Sequence, residues 1–487
     1  MQTLEFETVI GLEVHAQLLT KSKMYCGCST AYASAAPNSH VCPVCLGLPG
    51  ALPVINREAV SFTIMTGLAL NCSIPSFSKF DRKNYIYPDL MKGYQISQYD
   101  LPFCLDGYLD VEVGSENRRI GIRRVHLEED TARLVHREGG DEMYSLVDVN
   151  RSGAPLMEIV SDPDLRSPEE ARLYLVALRQ ILRSIGVSTA NMEEGAFRCD
   201  ANISQRSSDG SVVGAKVEIK NMNSFRSVER ALAYEVERQR DALRNGERIE
   251  QETRGWVEDR AVTVSQRTKE FAHDYRYFPE PDLPPLALRD AEIDDLRQRM
   301  PELPRARIER FQRQYGLGQA EAQLLTMERV VADYFEAAAG QDAQYARQLS
   351  NWVTGEIFAL MRERGVDIDQ INVAPRQLSQ LVALIESGKI NTRTAKEVLI
   401  AVHETGSDPE QIVADRGLSQ VSDAAQLNVV VQAALDQNPS AVADYQDGKK
   451  NAIGFLMGQV MRQMGGTANP AIVRQLLIEA LEERKTR

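Results

Sequence analysis

The chain has 487 residues, 43% hydrophobic and 26% charged, a mix that supports two to four packed domains and excludes a disordered or fibrous protein. Its formal charge of −13 excludes a generally cationic surface, so a nucleic-acid partner requires local clusters of Lys and Arg. No apolar run approaches the roughly 18–20 residues of a membrane span. The opening MQTLEFETVIGLEVH has no basic segment, so no secretory leader is expected and a cytoplasmic location is the default.

In chain order, the first signal is TVIGLEVHAQ (8–17), which alternates as a strand does. Ile10, Leu12, Val14 and Ala16 face one way, and Gly11, Glu13, His15 and Gln17 the other. A carboxylate and an imidazole two residues apart on a rigid strand offer a platform for a divalent metal. Taken alone, the same pattern reads first as a solvated strand face. Next come Cys26-x-Cys28 and Cys42-Pro-Val-Cys45, two close pairs separated by thirteen residues. Outside a secretory context such pairs point to a metal. Four thiolates suit tetrahedral Zn²⁺, and a closed four-cysteine shell is structural. The alternative is four buried or redox-labile thiols. Cys72, Cys104 and Cys199 lack this spacing and are expected in packing.

Further along, His126-Leu-Glu128-Glu129-Asp130 ends a strand in a dense acidic run, and Met157-Glu158-Ile159-Val160 places a carboxylate inside an apolar stretch. A buried carboxylate demands a partner. Arg198–Ser204 and Lys216–Lys220 read as two strands joined through Ser208-Asp209-Gly210. A turn centred on Asp209 sets Asp200 opposite Glu218, with Lys216 and Lys220 flanking. Carboxylates sharing a face repel unless a cation lies between them, and oxygen-rich sites suit Mg²⁺. Acids interleaved with lysines also suit phosphoryl transfer. Singly, each segment is a solvated face; together they suggest a site. There is no G-x-x-x-x-G-K-[ST], G-x-S-x-G or kinase signature, so ATP chemistry requires a non-standard site and glutamine hydrolysis another chain.

Pro279-Glu-Pro-Asp-Leu-Pro-Pro285 breaks regular structure. From about 291 the spacing is helical, as in Leu378, Leu381, Val382 and Ile385. Asn438-Pro439 and Asn469-Pro470 read as helix starts, and Gly406-Ser-Asp-Pro409 is a softer boundary. The reading is α+β: a β-rich cradle (1–290), a helical domain (291–405) and a small helical tail (406–487).

These segments closely resemble one family, the B subunit of the heterotrimeric aspartyl/glutamyl-tRNA(Asn/Gln) amidotransferase. The resemblance runs through ETVIGLEVHAQL (7–18), SKFDRKNYIYPDLMKGYQISQYD (78–100), HLEEDTARL (126–134), DVNRSGAPLMEIVSDPD (148–164), EGAFRCDANIS (194–204), EIKNMNSFR (218–226) and DYRYFPEPDLPPL (274–286). In the helical half it continues through SNWVTGE (350–356), SGKINTRTAKEV (387–398) and GKKNAIGFLMGQVMRQMGGTANP (448–470). It implies a cradle that uses ATP and Mg²⁺ to phosphorylate the side-chain carboxylate of Glu-tRNA(Gln) or Asp-tRNA(Asn). Ammonia made by a partner amidase, the A subunit, then displaces phosphate, and a small C subunit completes the heterotrimer. It implies metal binding by Glu13, His15, Glu129, Glu158, Asp200 and Glu218, all but Glu158 also being candidate catalytic groups. Lys79, Lys216 and Lys220 are the cations expected to meet ATP. The tail, and basic clusters at Lys389, Arg393 and Lys396 and at Lys449, Lys450 and Arg462, are candidates for tRNA contact. A zinc-ribbon nucleic-acid-binding protein and a non-catalytic scaffold are the competing readings; tRNA- and glutamate-dependent ATP hydrolysis separates them.

Overall fold

The computed structural model describes residues 5–139, 142–207, 214–268, 275–340, 343–421, 423–449, 451–465 and 467–486. They form two compact units, Met1–Pro304 and Arg305–Arg487.

The first unit is built on an eight-stranded sheet. Its strands are β1 (Phe6–Gln17), β5 (Cys104–Val113), β6 (Glu116–Glu129), β9 (Pro155–Ser161), β10 (Phe197–Ser207), β11 (Val217–Lys220), β12 (Glu252–Val257) and β13 (Val262–Thr268). Their order is β13-β12-β11-β10-β1-β9-β6-β5, antiparallel except for the parallel β11–β12 pair. Small sheets flank it. β2 (Phe77–Ser78) pairs with β15 (Leu286–Ala287), β3 (Asp81–Asn84) with β4 (Tyr94–Ser97) and β14 (Phe278–Pro279), and β7 (Arg133–Gly139) with β8 (Glu142–Asp148).

The expected alternation of β1 is realised: Ile10, Leu12, Val14 and Ala16 are buried in the core. Helices α1 (Arg57–Ala69), α2 (Pro168–Ser184) and α3 (Phe225–Arg244) share that core. Helix α2 starts where Ser167 caps the Glu170 amide and Pro168 takes the first turn, as such positions favour. It buries Tyr174, Leu175, Leu178 and Leu182, while α3 buries Val228, Ala231 and Leu232. Cys72, Cys104 and Cys199 lie in this core. Covering the apolar face leaves the other face of the central strands to carry polar groups. Helix α4 (Asp290–Arg299) also belongs to this unit, and Met300 and Leu303 pack on its core.

The second unit is helical: α5 (Pro304–Tyr315), α6 (Gln319–Thr326), α7 (Arg329–Ala339), α8 (Ala346–Trp352), a π-helical turn (Val353–Ile357), α9 (Phe358–Arg364), α10 (Pro375–Glu386), α11 (Thr392–Thr405), α12 (Pro409–Asp415), α13 (Ala424–Gln437), α14 (Pro439–Gln446), α15 (Ala452–Gln463) and α16 (Pro470–Thr486). Both Asn-Pro helix starts are present. Two cores divide it. Helix α12 gives Ile412 and Val413 to the first, and the second is built from Leu427, Val431, Leu456, Val460, Val473, Leu477 and their neighbours. Packing therefore separates them after Leu418 rather than at 405, because α12 folds back onto α10 and α11.

Candidate active site and metal centres

Register decides what the polar face presents. His126 on β6 lies opposite Glu158 on β9, Glu158 opposite His15 on β1, and His15 opposite Arg198 on β10. One carboxylate oxygen of Glu158 is 3.3 Å from Nε2 of both His15 and His126. Glu128 closes the group, 3.8 Å from each imidazole, and accepts from Ser97 Oγ at 3.1 Å. Ligand atoms of His15, Glu128 and Glu158 all lie within 4.8 Å of one another. The Glu128 and Glu158 side chains are only 4% and 11% exposed, and burying two such charges is costly without compensation.

The electrostatics express that demand. Burial disfavours the charged form of both imidazoles, but Glu158 and Glu128 outweigh it and raise their pKa values. Burial likewise opposes ionisation of Glu158, yet His126 and His15 hold it well below the carboxylate range. His126 Nδ1 is buried without a partner. The group is built to hold positive charge between its carboxylates. Two carboxylates and an imidazole fit a six-coordinate divalent ion that keeps several waters.

Beside this cluster the polar face continues. Glu13 lies opposite Asp200 and accepts from Asn202 Nδ2 at 2.9 Å. The Lys220 ammonium bridges Asp200 at 2.5 Å and Glu218 at 3.3 Å, and Thr253 Oγ1 donates to Glu218 at 2.8 Å. The expected pairing of Asp200 with Glu218 is corrected: Asn202 faces Glu218. Moving the centre of a hairpin by one residue moves each partner by two, which keeps both acids on the same face. The turn Ser208-Asp209-Gly210 lies outside the described residues.

Glu129 does not join the row. It lines a separate small pocket with Lys92, Tyr94, Cys26 and Cys45, where it pairs with Lys92 and accepts from the Ile96 amide at 3.0 Å. Lys79 is held by Asp81 and, at 2.6 Å, by Asp100, and Lys216 is exposed just before β11. Of the three expected ATP-meeting cations only Lys220 is shown in contact with the acids of the row. Sequence reasoning missed Glu128, His126 and Lys83. Lys83 carries a raised pKa, against burial, because Glu128, Tyr277 and Glu158 surround it, and its ammonium lies 5.0 Å from the Tyr275 ring. His126-x-Glu128 has the same two-residue spacing as Glu13-x-His15, a signal that was legible.

Sulfur atoms of Cys26, Cys28, Cys42 and Cys45 lie within 4.8 Å of one another. The 3.9 Å between Cys42 and Cys45 approaches the roughly 3.8 Å edge of a tetrahedron with bonds of about 2.3 Å. The Cys42 amide donates to Cys45 Sγ at 3.1 Å. A hydrogen bond from Cys26 lowers the Cys45 thiol to about 4, while burial pushes Cys28 up to about 11. Lys23, 1% exposed, ties the loop to the sheet unit by donating to the carbonyls of His40 and Val149 at 2.9 and 3.3 Å. The donor set and spacing fit Zn²⁺.

In the second unit four of the candidate tRNA-contacting cations meet acids. Lys389 pairs with Glu410 at 3.7 Å, Arg393 with Glu397 at 3.7 Å, Lys396 with Glu356 at 2.6 Å and Lys449 with Asp444 at 2.8 Å. Lys450 lies outside the described residues. No helix among the described residues is long and apolar enough to cross a membrane.

A sheet with one face closed by helices and the other carrying a carboxylate–histidine cluster able to hold a divalent ion, followed in the chain by a helical unit, defines a two-unit α+β protein with a candidate catalytic domain. Residues 8–294 match the GatB/GatE catalytic domain and residues 333–481 the GatB domain. The chain is 67% identical over 480 residues to the aspartyl/glutamyl-tRNA(Asn/Gln) amidotransferase B subunit of Thermomicrobium roseum, covering 99% of each. It is 56% identical to the protein of the same name from Dehalococcoides mccartyi strain CBDB1, covering 98% of this chain and 99% of that one. For its Moorella thermoacetica namesake the identity is 52%, covering 98% and 100%. The chain belongs to the family of aspartyl/glutamyl-tRNA(Asn/Gln) amidotransferase B subunits.

Proposed function

We infer that this chain is the subunit that amidates misacylated Glu-tRNA(Gln), Asp-tRNA(Asn) or both, within a cytoplasmic heterotrimer whose other members are the amidase and a small third protein, the A and C subunits. The side-chain carboxylate attacks the γ-phosphorus of ATP and ADP leaves. Ammonia from the amidase then attacks the acyl carbon and phosphate departs. The observation that carries this reading, within a chain of this family, is the buried His15–Glu128–Glu158 cluster on the sheet's polar face.

In this reading His15, Glu128 and Glu158 hold Mg²⁺, with Glu13, Asp200 and Glu218 extending the acidic surface. Bound there, the ion would neutralise phosphate charge and align the γ-phosphoryl group. The protein's own groups orient and compensate. His126 holds Glu158 ionised, Asn202 fixes Glu13, and Lys220 stands beside Asp200 as a cation available to phosphate oxygens. Glu128, rather than Glu129, completes the ligand set. Zn²⁺ on Cys26, Cys28, Cys42 and Cys45 is structural, and the tail, expected from about 406 and packed as its own core after Leu418, contributes tRNA affinity rather than chemistry.

The test is Glu158→Gln in the complete heterotrimer. Losing one electrostatic element of a transition-state site commonly costs about 10²–10³ in rate. ATP-dependent amidation should fall by that factor while glutamine hydrolysis on the partner persists. Acyl-phosphate formation at a near-normal rate would refute the site assignment.

A further inference from the structure

The polar row ends at Arg198, and the same residue lines a cleft of about 1720 Å³ in the first unit. The cleft runs between the residues 17–38, the β7–β8 hairpin and residues 189–198. Its lining carries five cations, Lys21, Arg133, Arg137, Arg151 and Arg198, against three acids, although the whole chain has a net charge of −13. An anionic ligand therefore finds locally favourable potential there.

Arg198 differs from the other cations of the cleft. Arg151 spends its guanidinium on the carbonyls of Thr131 and Ala132, both at 2.9 Å. Arg133 and Arg137 are exposed on the hairpin. Arg198 sits directly opposite His15 in the sheet. One of its nitrogens meets Asp130 at 3.1 Å, its Nε is buried without an acceptor, and the side chain as a whole remains 39% exposed. Asp130 is itself fixed, accepting from Gln17 Nε2 at 2.7 Å and from the Thr131 amide at 2.9 Å. The guanidinium is thus held in place from behind and has donors to spare.

We propose that Arg198 receives the side-chain carboxylate of the aminoacyl group arriving through the cleft, and that Asp130 is the residue that positions it. This rests on the reading of the row as the place where that carboxylate meets ATP. Until a cation occupies the row, a carboxylate approaching Glu158, Glu128 and Glu13 is repelled by all three. A permanently charged, planar guanidinium at the row's end offsets that repulsion and accepts carboxylate geometry directly. Without it the substrate binds through its RNA but its reactive group is not drawn in.

The test measures binding of three forms of tRNA(Gln) to the heterotrimer without ATP: glutamylated, glutaminylated and deacylated. Glutaminyl-tRNA carries a neutral amide in place of the carboxylate. The unaltered enzyme should favour the glutamylated over the glutaminylated form by on the order of tenfold, the scale of one charge-assisted hydrogen bond. Arg198→Gln, which still offers Asp130 a donor, should bring the two affinities together and leave deacylated tRNA binding and the KM for ATP within about twofold. Arg198→Lys should recover part of the gap, and Asp130→Asn should narrow it with Arg198 intact. Guanidinium ion, but not equal sodium chloride, should restore discrimination to Arg198→Gln. Equal weakening of all three tRNA forms would overturn the proposal in favour of an RNA phosphate contact. An unchanged gap with a raised KM for ATP would overturn it in favour of a nucleotide contact. The tRNA-binding readout, on which the proposal turns, needs no catalysis, so it fails or succeeds separately from the Glu158→Gln test of the row.

Discussion

The two candidate metal centres are assembled in opposite ways. The cysteines lie between positions 26 and 45, so one loop carries all four ligands. The His15, Glu128 and Glu158 group draws on three strands, with Asp200 and Glu218 supplied by two more. A local site depends on its own turns and on the ion. A dispersed site depends on sheet register, since slipping one strand by one residue turns its polar groups to the other face. The first centre should therefore be sensitive to its ligands and the second to its neighbours as well.

The largest effect that sharpens this contrast is removal of one thiolate. Cys42→Ser should lose stoichiometric zinc, measured by metal analysis of the purified protein, because three thiolates leave a closed structural shell incomplete. The loop should lose protection from proteolysis and hydrogen exchange, whereas the carboxylate–histidine row, held by strands, should still bind a divalent ion. Zinc retained at full occupancy, or four thiols that titrate freely in the native protein before substitution, would break the comparison.

Much of this was legible before folding. Alternation in β1 announced a two-faced strand, and the cysteine pairs announced their own partnership, because both signals are local. The choice between Glu128 and Glu129 was harder. A bulge between Ile122 and Arg124 adjusts the register against β9, and the one local clue, the alternation of Val125 and Leu127 with His126 and Glu128, was passed over because Glu129 continues the acidic run. Placing Asp200 against Glu218 failed by two residues because the hairpin centre was set one residue early. Nor could the sequence show that Lys79, expected to meet ATP, pairs with Asp81 and Asp100, which belong to a small flanking sheet and its adjoining turn. The Arg198–Asp130 contact joins residues far apart in sequence, and no periodicity encodes it.

A second prediction separates functional buried acids from structural ones. Glu235 on α3 is 0% exposed in its side chain, like the row's acids, yet it is saturated. Arg238 donates to it twice, at 2.9 and 2.8 Å, Gln239 donates at 3.0 Å, Arg254 pairs at 3.1 Å, and Thr263 also donates. Burial opposes its charge, but Arg238, Thr263 and Gln239 lower its pKa below the ordinary carboxylate value of 4.5. A folded-state pKa below the unfolded one stabilises the fold above about pH 4.5, and that contribution is lost as pH falls through the folded value. Glu235→Gln should destabilise the protein by about 1–3 kcal/mol near neutrality, with the difference shrinking toward pH 3 in denaturant melts. A pH-independent difference would show that packing, rather than charge, is what the residue supplies.

The smallest effect tests whether scaffold and site separate energetically. Ser167 caps α2 by accepting from the Glu170 amide at 3.1 Å, with Pro168 in the first turn. Helix α2 lies on the apolar face, on the other side of the sheet from His15 and Glu158. Removing an N-cap hydroxyl leaves a helix-end amide without its acceptor and typically costs about 1 kcal/mol. Ser167→Ala should lower stability by that amount in urea unfolding of the purified chain, with an unchanged m-value because no additional surface is exposed. Divalent-ion affinity of the row should stay the same, since its register is held by the ladders of β1, β9 and β10 rather than by the helix end. A loss of metal affinity exceeding the loss of stability would mean that α2 sets the register of the strands above it, and the dispersed centre would then depend on the apolar face as closely as on its own ligands.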